Sequence, residues 1–83
     1  MNQDVSKLNA AKKAVEFIKN GMVVGLGTGS TAKIAIDLIG EKISKDFQIV
    51  GMPTSVNTEK QARDLGIKLI GIDDAETIDL AID

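Results

Sequence analysis

The sequence predicts an α/β fold in which a doubly wound, mostly parallel sheet packs against amphipathic helices. Three observations carry this reading. Helical and apolar stretches alternate along the chain, the apolar stretches are continuous instead of alternating polar and apolar, and the connections are long enough for parallel crossovers. With 83 residues, 43% hydrophobic and 27% charged, the chain falls among ordinary globular proteins and accommodates one domain at most.

Taken in order, residues 4–20 form the first predicted helix. Leu8, Ala11, Val15 and Ile18 recur at helical spacing, Ala14 and Phe17 widen the stripe, and Asn20-Gly21 offers the left-handed residue that closes a helix. Residues 22–27 are short, apolar and rich in β-branched side chains, as a strand buried on both faces requires. A largely apolar helix follows over 31–39, and Gly40 either ends it or interrupts a continuation to Lys45.

Residues 47–52 read as the second strand, ended by Pro53. Thr54, Ser55 and Asn57 then supply capping oxygens for a helix reaching Leu65, with Gly66 as its stop. A third strand is expected over 67–72, a polar connection over 73–76 and a fourth strand over 78–82. This is the front of a Rossmann-like sheet, truncated after about four strands. Because an apolar strand runs up to Asp83 with no helix after it, residues 1–83 are expected to be the N-terminal portion, a fragment, of a single α/β domain.

Composition narrows the chemistry. Ten basic and twelve acidic residues give a net charge of -2, with 2% aromatics, which offers neither a polyanion groove nor a base-stacking surface. No nucleic-acid partner is expected. Cysteine and histidine are absent, which removes disulfides, thiolate chemistry, most zinc sites and histidine acid–base catalysis. The polar N-terminus and short apolar runs predict neither signal peptide nor membrane span, so a cytoplasmic location is the default.

Chemistry concentrates at Gly27-Thr28-Gly29-Ser30-Thr31, between the first strand and the second helix. Glycines admit an anion close to the backbone, a helix N-terminus presents unpaired N–H groups, and three hydroxyls add donors. The same residues also fit a plain turn with Ser30 or Thr31 as N-cap. Gly27-x-Gly29-x-x-Ala32 formally satisfies the dinucleotide fingerprint, but the second strand ends at Gly51-Met52-Pro53 without the acidic residue that holds an adenine ribose. There is no Gly-Lys pair for a mononucleotide loop. A phosphate that is not part of a nucleotide fits best.

Other polar groups read more plainly. Lys7, with Lys12, Lys13 and Lys19, has the composition of a solvated helix face. Asp73, Asp74 and Glu76 lack the dense oxygen alternation and fixed glycine of a hard-cation loop and read as a surface connection, so no metal site is expected. Asp79 points opposite Ile78 and Leu80 on the fourth strand, toward a partner missing from this sequence.

The segments Val23-Val24-Gly25-Leu26-Gly27-Thr28-Gly29-Ser30-Thr31-Ala32, Pro53-Thr54-Ser55 with Thr58-Glu59, Leu65-Gly66-Ile67 and Leu80-Ala81-Ile82-Asp83 together resemble the N-terminal part of the ribose 5-phosphate isomerase A family. The resemblance runs over essentially the whole chain. It implies an aldose–ketose isomerase that interconverts ribose 5-phosphate and ribulose 5-phosphate, in the non-oxidative pentose phosphate pathway, through an enediol-like intermediate and without cofactor. It further implies that Thr28, Gly29, Ser30 and Thr31 bind the substrate, that Lys7 reaches the same site, and that Asp83 is the first aspartate of a catalytic Asp-Gly-Ala-Asp segment.

The family's catalytic glutamate and active-site lysine follow in a stretch beginning Lys-Gly-Gly-Gly, which this sequence does not contain. The 83 residues alone are therefore expected to bind a sugar phosphate at most, and the full-length protein to be a homo-oligomer. The alternative, the phosphosugar-sensing domain of a DeoR-type regulator, would bind without turnover.

Overall fold

The computed structural model describes residues 3–74 and 77–82. Three helices, α1 (Gln3–Glu16), α2 (Ser30–Lys42) and α3 (Val56–Asp64), accompany four strands, β1 (Val23–Leu26), β2 (Val50–Pro53), β3 (Lys68–Leu69) and β4 (Leu80–Ile82), with a 3-10 turn at Ile72–Asp74. All strand pairs are parallel and the sheet order is β3-β2-β1-β4. The fold is the α/β class expected. After two steps in one direction the chain crosses back to place β4 on the free side of β1, so the order reverses between β1 and β4. In such sheets, ligands bind beyond the carboxyl ends of the strands at that reversal.

The register explains the core. Val24 aligns with Gly51 and Leu80, Leu26 aligns with Ile82, and Gly51 aligns with Leu69. In parallel strands aligned residues share a face, and Val24, Leu26, Leu69, Leu80 and Ile82 all pack into one cluster with Ala11, Val15 and Ile18 from the first helical segment and Ala32, Ala35, Ile36 and Ile39 from α2. Gly51 belongs to this face because a Cβ there would lie 2.8 Å from Leu26 Cδ1. Leu26, Ile36, Ile39 and Val24 are fully buried.

Several element boundaries differ from the sequence expectation, each for a local reason. Helix α1 ends at Glu16 instead of Asn20, and tighter bonds from the N–H groups of Phe17 and Ile18 to the carbonyls of Ala14 and Val15 carry the chain on. Ile18 stays buried, whereas Phe17, assigned to the apolar stripe, is 60% exposed. Gly21 takes the positive φ of 86°. Asn20 instead uses its side chain, accepting from the Gln48 N–H at 2.8 Å.

Residues 47–49 do not join β2. Phe47 is folded back on Ser44, whose Oγ accepts from the N–H groups of Asp46 and Phe47. Pro53, expected to end the strand, is its last residue. Alternate N–H groups of β2 point to opposite neighbours, and those of Val50 and Thr54 donate to Met22 and Leu26 on the β1 side. The Pro53 nitrogen therefore faces the β3 side, beyond the end of that short strand, where no ladder donor is required. Similarly, β3 covers only Lys68–Leu69. The ladder gains one more bond, from the Ile70 N–H to the Gly51 carbonyl, before Gly71 opens the 3-10 turn closed by the Asp74 N–H.

Helix α2 runs without a break through Gly40 to Lys42. The glycine is there for packing: a Cβ at position 40 would sit 2.9 to 3.0 Å from side-chain atoms of Leu65 at the end of α3. Gly66, with φ of 83°, stops α3 as the sequence suggests. No helix among the described residues is long and apolar enough to cross a membrane.

Candidate phosphate-binding site

Strand β1 is central and ends at Leu26, and the next three residues turn the chain into α2. Gly27 donates its N–H to the Ile82 carbonyl at 2.8 Å, which ties the turn to the end of β4. Gly29 occupies the N-cap position with φ 107° and ψ 165°, a conformation open essentially to glycine alone. Neither Ser30 nor Thr31 is the N-cap, contrary to one of the two sequence readings. Ser30 is the first helical residue, and the N-terminus of α2 has no side-chain cap.

The backbone follows from this. The Lys33 N–H closes the first helical bond on the Gly29 carbonyl at 3.0 Å, so the N–H groups of Ser30, Thr31 and Ala32 precede the first intrahelical donor and have no intrahelical partner. These groups and the helix dipole attract an anion to the same place. Thr28, Gly29 and Ser30 are exposed, Thr31 is half-buried and Ala32 is fully buried.

The second wall comes from α3. Ser55 caps that helix, accepting from the Thr58 N–H at 3.1 Å, and its hydroxyl donates to Thr58 Oγ1 at 2.9 Å. Thr58 Oγ1 in turn donates to the Gly27 carbonyl at 3.3 Å. Lower down, Gln61 Nε2 donates to the Lys33 carbonyl at 2.9 Å and to Asp37 Oδ1 at 2.8 Å, fastening α3 to α2. Between the two helix starts lies an open cleft of about 590 Å³, bordered by Gly27, Thr28, Gly29 and Ser30 on one side and Ser55, Asn57, Thr58 and Gln61 on the other, with Lys33, Lys60 and Asp64 also in its lining.

The cleft therefore gathers Thr28, Gly29 and Ser30 from the residues singled out in the sequence. Thr31, on the first turn of α2, and Lys7, half-buried on α1, stand outside its lining. Asp83 lies outside the described residues, as does Glu76. Asp73 and Asp74 are exposed on the 3-10 turn, and the described residues contain no group of three or more acidic, histidine or cysteine side chains placed to hold a metal. From the sequence, Ser55, Asn57 and Thr58 read as capping residues that also stand at the carboxyl end of the second strand, on the sheet edge where ligands bind. The Ser55-x-x-Thr58 spacing announces the cap, but nothing local announces that Thr58 reaches across to residue 27.

No protein-family model matches the chain. Individual relatives do. "Probable ribose-5-phosphate isomerase 3, chloroplastic" of Arabidopsis thaliana is 59% identical over the whole chain, which covers 31% of that protein. Ribose-5-phosphate isomerase A of Limosilactobacillus reuteri is 49% identical, again over the whole chain, which covers 37% of it. Among solved structures, a D-ribose-5-phosphate isomerase in complex with phospho-erythronic acid superposes with a TM-score of 0.89 at 42% identity, over 100% of this chain and 37% of that one. The chain thus spans about a third of the length of the curated relatives it matches. In sequence over its whole length, and in fold, the chain is thus similar to part of the ribose-5-phosphate isomerase A proteins.

Proposed function

We propose that these residues are part of a single catalytic domain that interconverts ribose 5-phosphate and ribulose 5-phosphate, and that their share of the site is the phosphate end of the substrate. The observation that carries this is the turn at the end of β1: glycine at the N-cap, free N–H groups at the start of α2 and the exposed hydroxyls of Thr28 and Ser30. A relative solved with phospho-erythronic acid, an acid bearing a phosphate, supports the same ligand class here. Thr31 completes the phosphate end in this reading, Lys7 reaches the substrate from α1, and Asp83 helps to hold the sugar.

Moving the proton between adjacent carbons needs a positioned base, a contribution of typically ~10²–10⁴-fold. That base belongs to the later family stretch, so the 83 residues alone bind without efficient turnover. The complete gene product is expected to convert ribose 5-phosphate to ribulose 5-phosphate in the presence of chelators. A folded, complete protein that binds ribose 5-phosphate without converting it would favour a sensor over an enzyme and overturn the reading. For the phosphate end itself, titration with inorganic phosphate should move the backbone amide signals of residues 28–31, and S30A or T31A should weaken that response.

Assembly and location belong to the same proposal. The short strands β3 and β4 are the two sheet edges, and a homo-oligomer is expected by light scattering of the complete protein. A cytoplasmic location is expected by imaging. Import into a plastid, as named for the Arabidopsis relative, would overturn it.

A further inference from the structure

The glycine turn is held from two sides. On one, the Gly27 N–H donates to the Ile82 carbonyl; on the other, the Gly27 carbonyl accepts from Thr58 Oγ1. Thr58 is a buried polar residue, 5% exposed, and its hydroxyl is engaged as both acceptor and donor: it accepts from the Ser55 hydroxyl and donates to the Gly27 carbonyl. The Ser55 oxygen is itself fixed by the Thr58 N–H. A closed sequence of bonds thus runs from the first turn of α3 to the residue where the phosphate turn begins. A threonine that only completed the Ser55 cap of its own helix would not need to reach position 27, thirty-one residues away in the chain.

We propose that Thr58 is a positioning residue, which fixes the Gly27 peptide and thereby the direction in which the Thr28, Gly29 and Ser30 groups meet a phosphate. The proposal rests on the isomerase reading above. Thr58 borders the cleft but acts through Gly27 instead of touching the reacting carbons. Because the phosphate is remote from the proton transfer, a loosened turn weakens ground state and transition state alike, and that raises KM while leaving kcat nearly unchanged.

The test compares T58V and T58S in the complete gene product, at a temperature well below the unfolding transition of each. T58V keeps the shape and removes the hydroxyl; T58S keeps the hydroxyl. The expected result is a rise of about fivefold in KM for ribose 5-phosphate, matched by a rise of about fivefold in the inhibition constant of inorganic phosphate, the scale of one neutral hydrogen bond. kcat should stay within about twofold, and T58S should lie within about twofold of wild type in all three constants. If T58V does not fold, T58C is read in its place, since a thiol is too weak a donor to replace the hydroxyl.

An unmoved KM in a folded T58V or T58C would overturn the proposal, as would a T58S that fails like T58V, which would assign the effect to the lost methyl. Loss of kcat with KM unchanged would overturn it too. The two readings fail separately: an inactive wild type overturns the isomerase assignment, whereas an active wild type with an insensitive position 58 overturns only the role of Thr58.

Discussion

Asp79 and Val23 exchange two hydrogen bonds. The Asp79 N–H donates to the Val23 carbonyl at 2.8 Å, and the Asp79 carboxylate accepts from the Val23 N–H at 2.8 Å. The partner that the sequence reading placed outside the chain is therefore the backbone of the first residue of β1. The side chain stands where a preceding residue of a longer β4 would have continued the ladder. D79A should lower stability by about 1–2 kcal/mol, read by chemical denaturation, and D79N, which keeps an acceptor oxygen, by less.

Gly29 has no heavy atom within 4 Å of where a Cβ would sit, so steric exclusion does not explain the glycine there. Its φ of 107° does. G29A is expected to cost about 1–3 kcal/mol through the backbone alone. Under the proposed function it should also raise KM for ribose 5-phosphate more than it lowers kcat, as steady-state kinetics of the complete protein would read out.

Gly40 is the opposite case, with an ordinary helical backbone and no room. Alanine in a helix interior normally gains about 1 kcal/mol over glycine. Here Leu65 Cβ, which cannot swing aside, lies 3.0 Å from the added carbon, and overpacking costs about 1–3 kcal/mol. G40A should therefore be destabilising, and a G40A/L65A double-mutant cycle should show coupling between the sites.

Gln61 joins α3 to α2 through a single nitrogen shared between Lys33 and Asp37. Q61A should lower the unfolding free energy modestly, by about 1 kcal/mol. Q61E should be worse, because it replaces a donor with a carboxylate facing a carbonyl and another carboxylate. Part of that deficit should disappear as pH falls through the carboxylate range, since protonation restores a donor, and thermal melts at neutral and acidic pH would show it.

Much of the fold was legible because it is written in local terms. The apolar runs around Val24 and Gly51, the helical spacing of Ala11, Val15 and Ile18, and the stop at Gly66 each follow from backbone preference or periodicity. What was not legible depends on partners far away in the chain. Residues 47–49 are as apolar as a strand, but Ser44 captures Phe47 and Asn20 captures Gln48. Nothing near Pro53 reveals that its neighbour strand has already ended, and nothing near Gly40 reveals Leu65.

The candidate site divides in the same way. The glycines and hydroxyls of residues 27–31 signal an anion turn by themselves, because backbone freedom and donor density are properties of the segment. That α2 would begin uncapped at Ser30 is decided by Gly29, one residue away, and was left open between two readings. The contribution of Thr58 is invisible until β1 and β2 are in register and the start of α3 is brought over the end of β1.

The strand order also bears on the sequence of events in synthesis. β1 pairs with β2, which follows it after one helix, but its other neighbour is β4, which comes only after α3 and β3 as well. While residues 80–82 are still within the ribosome, β1 is an edge with open backbone groups, and the Gly27 N–H has no Ile82 carbonyl to meet. Pairings between such distant segments form late, since a long loop must close first. The phosphate turn therefore does not mature until β4 has emerged and paired. Until it does, the nascent chain presents a hydrophobic strand edge of the kind that chaperones bind and that misassembles at high concentration.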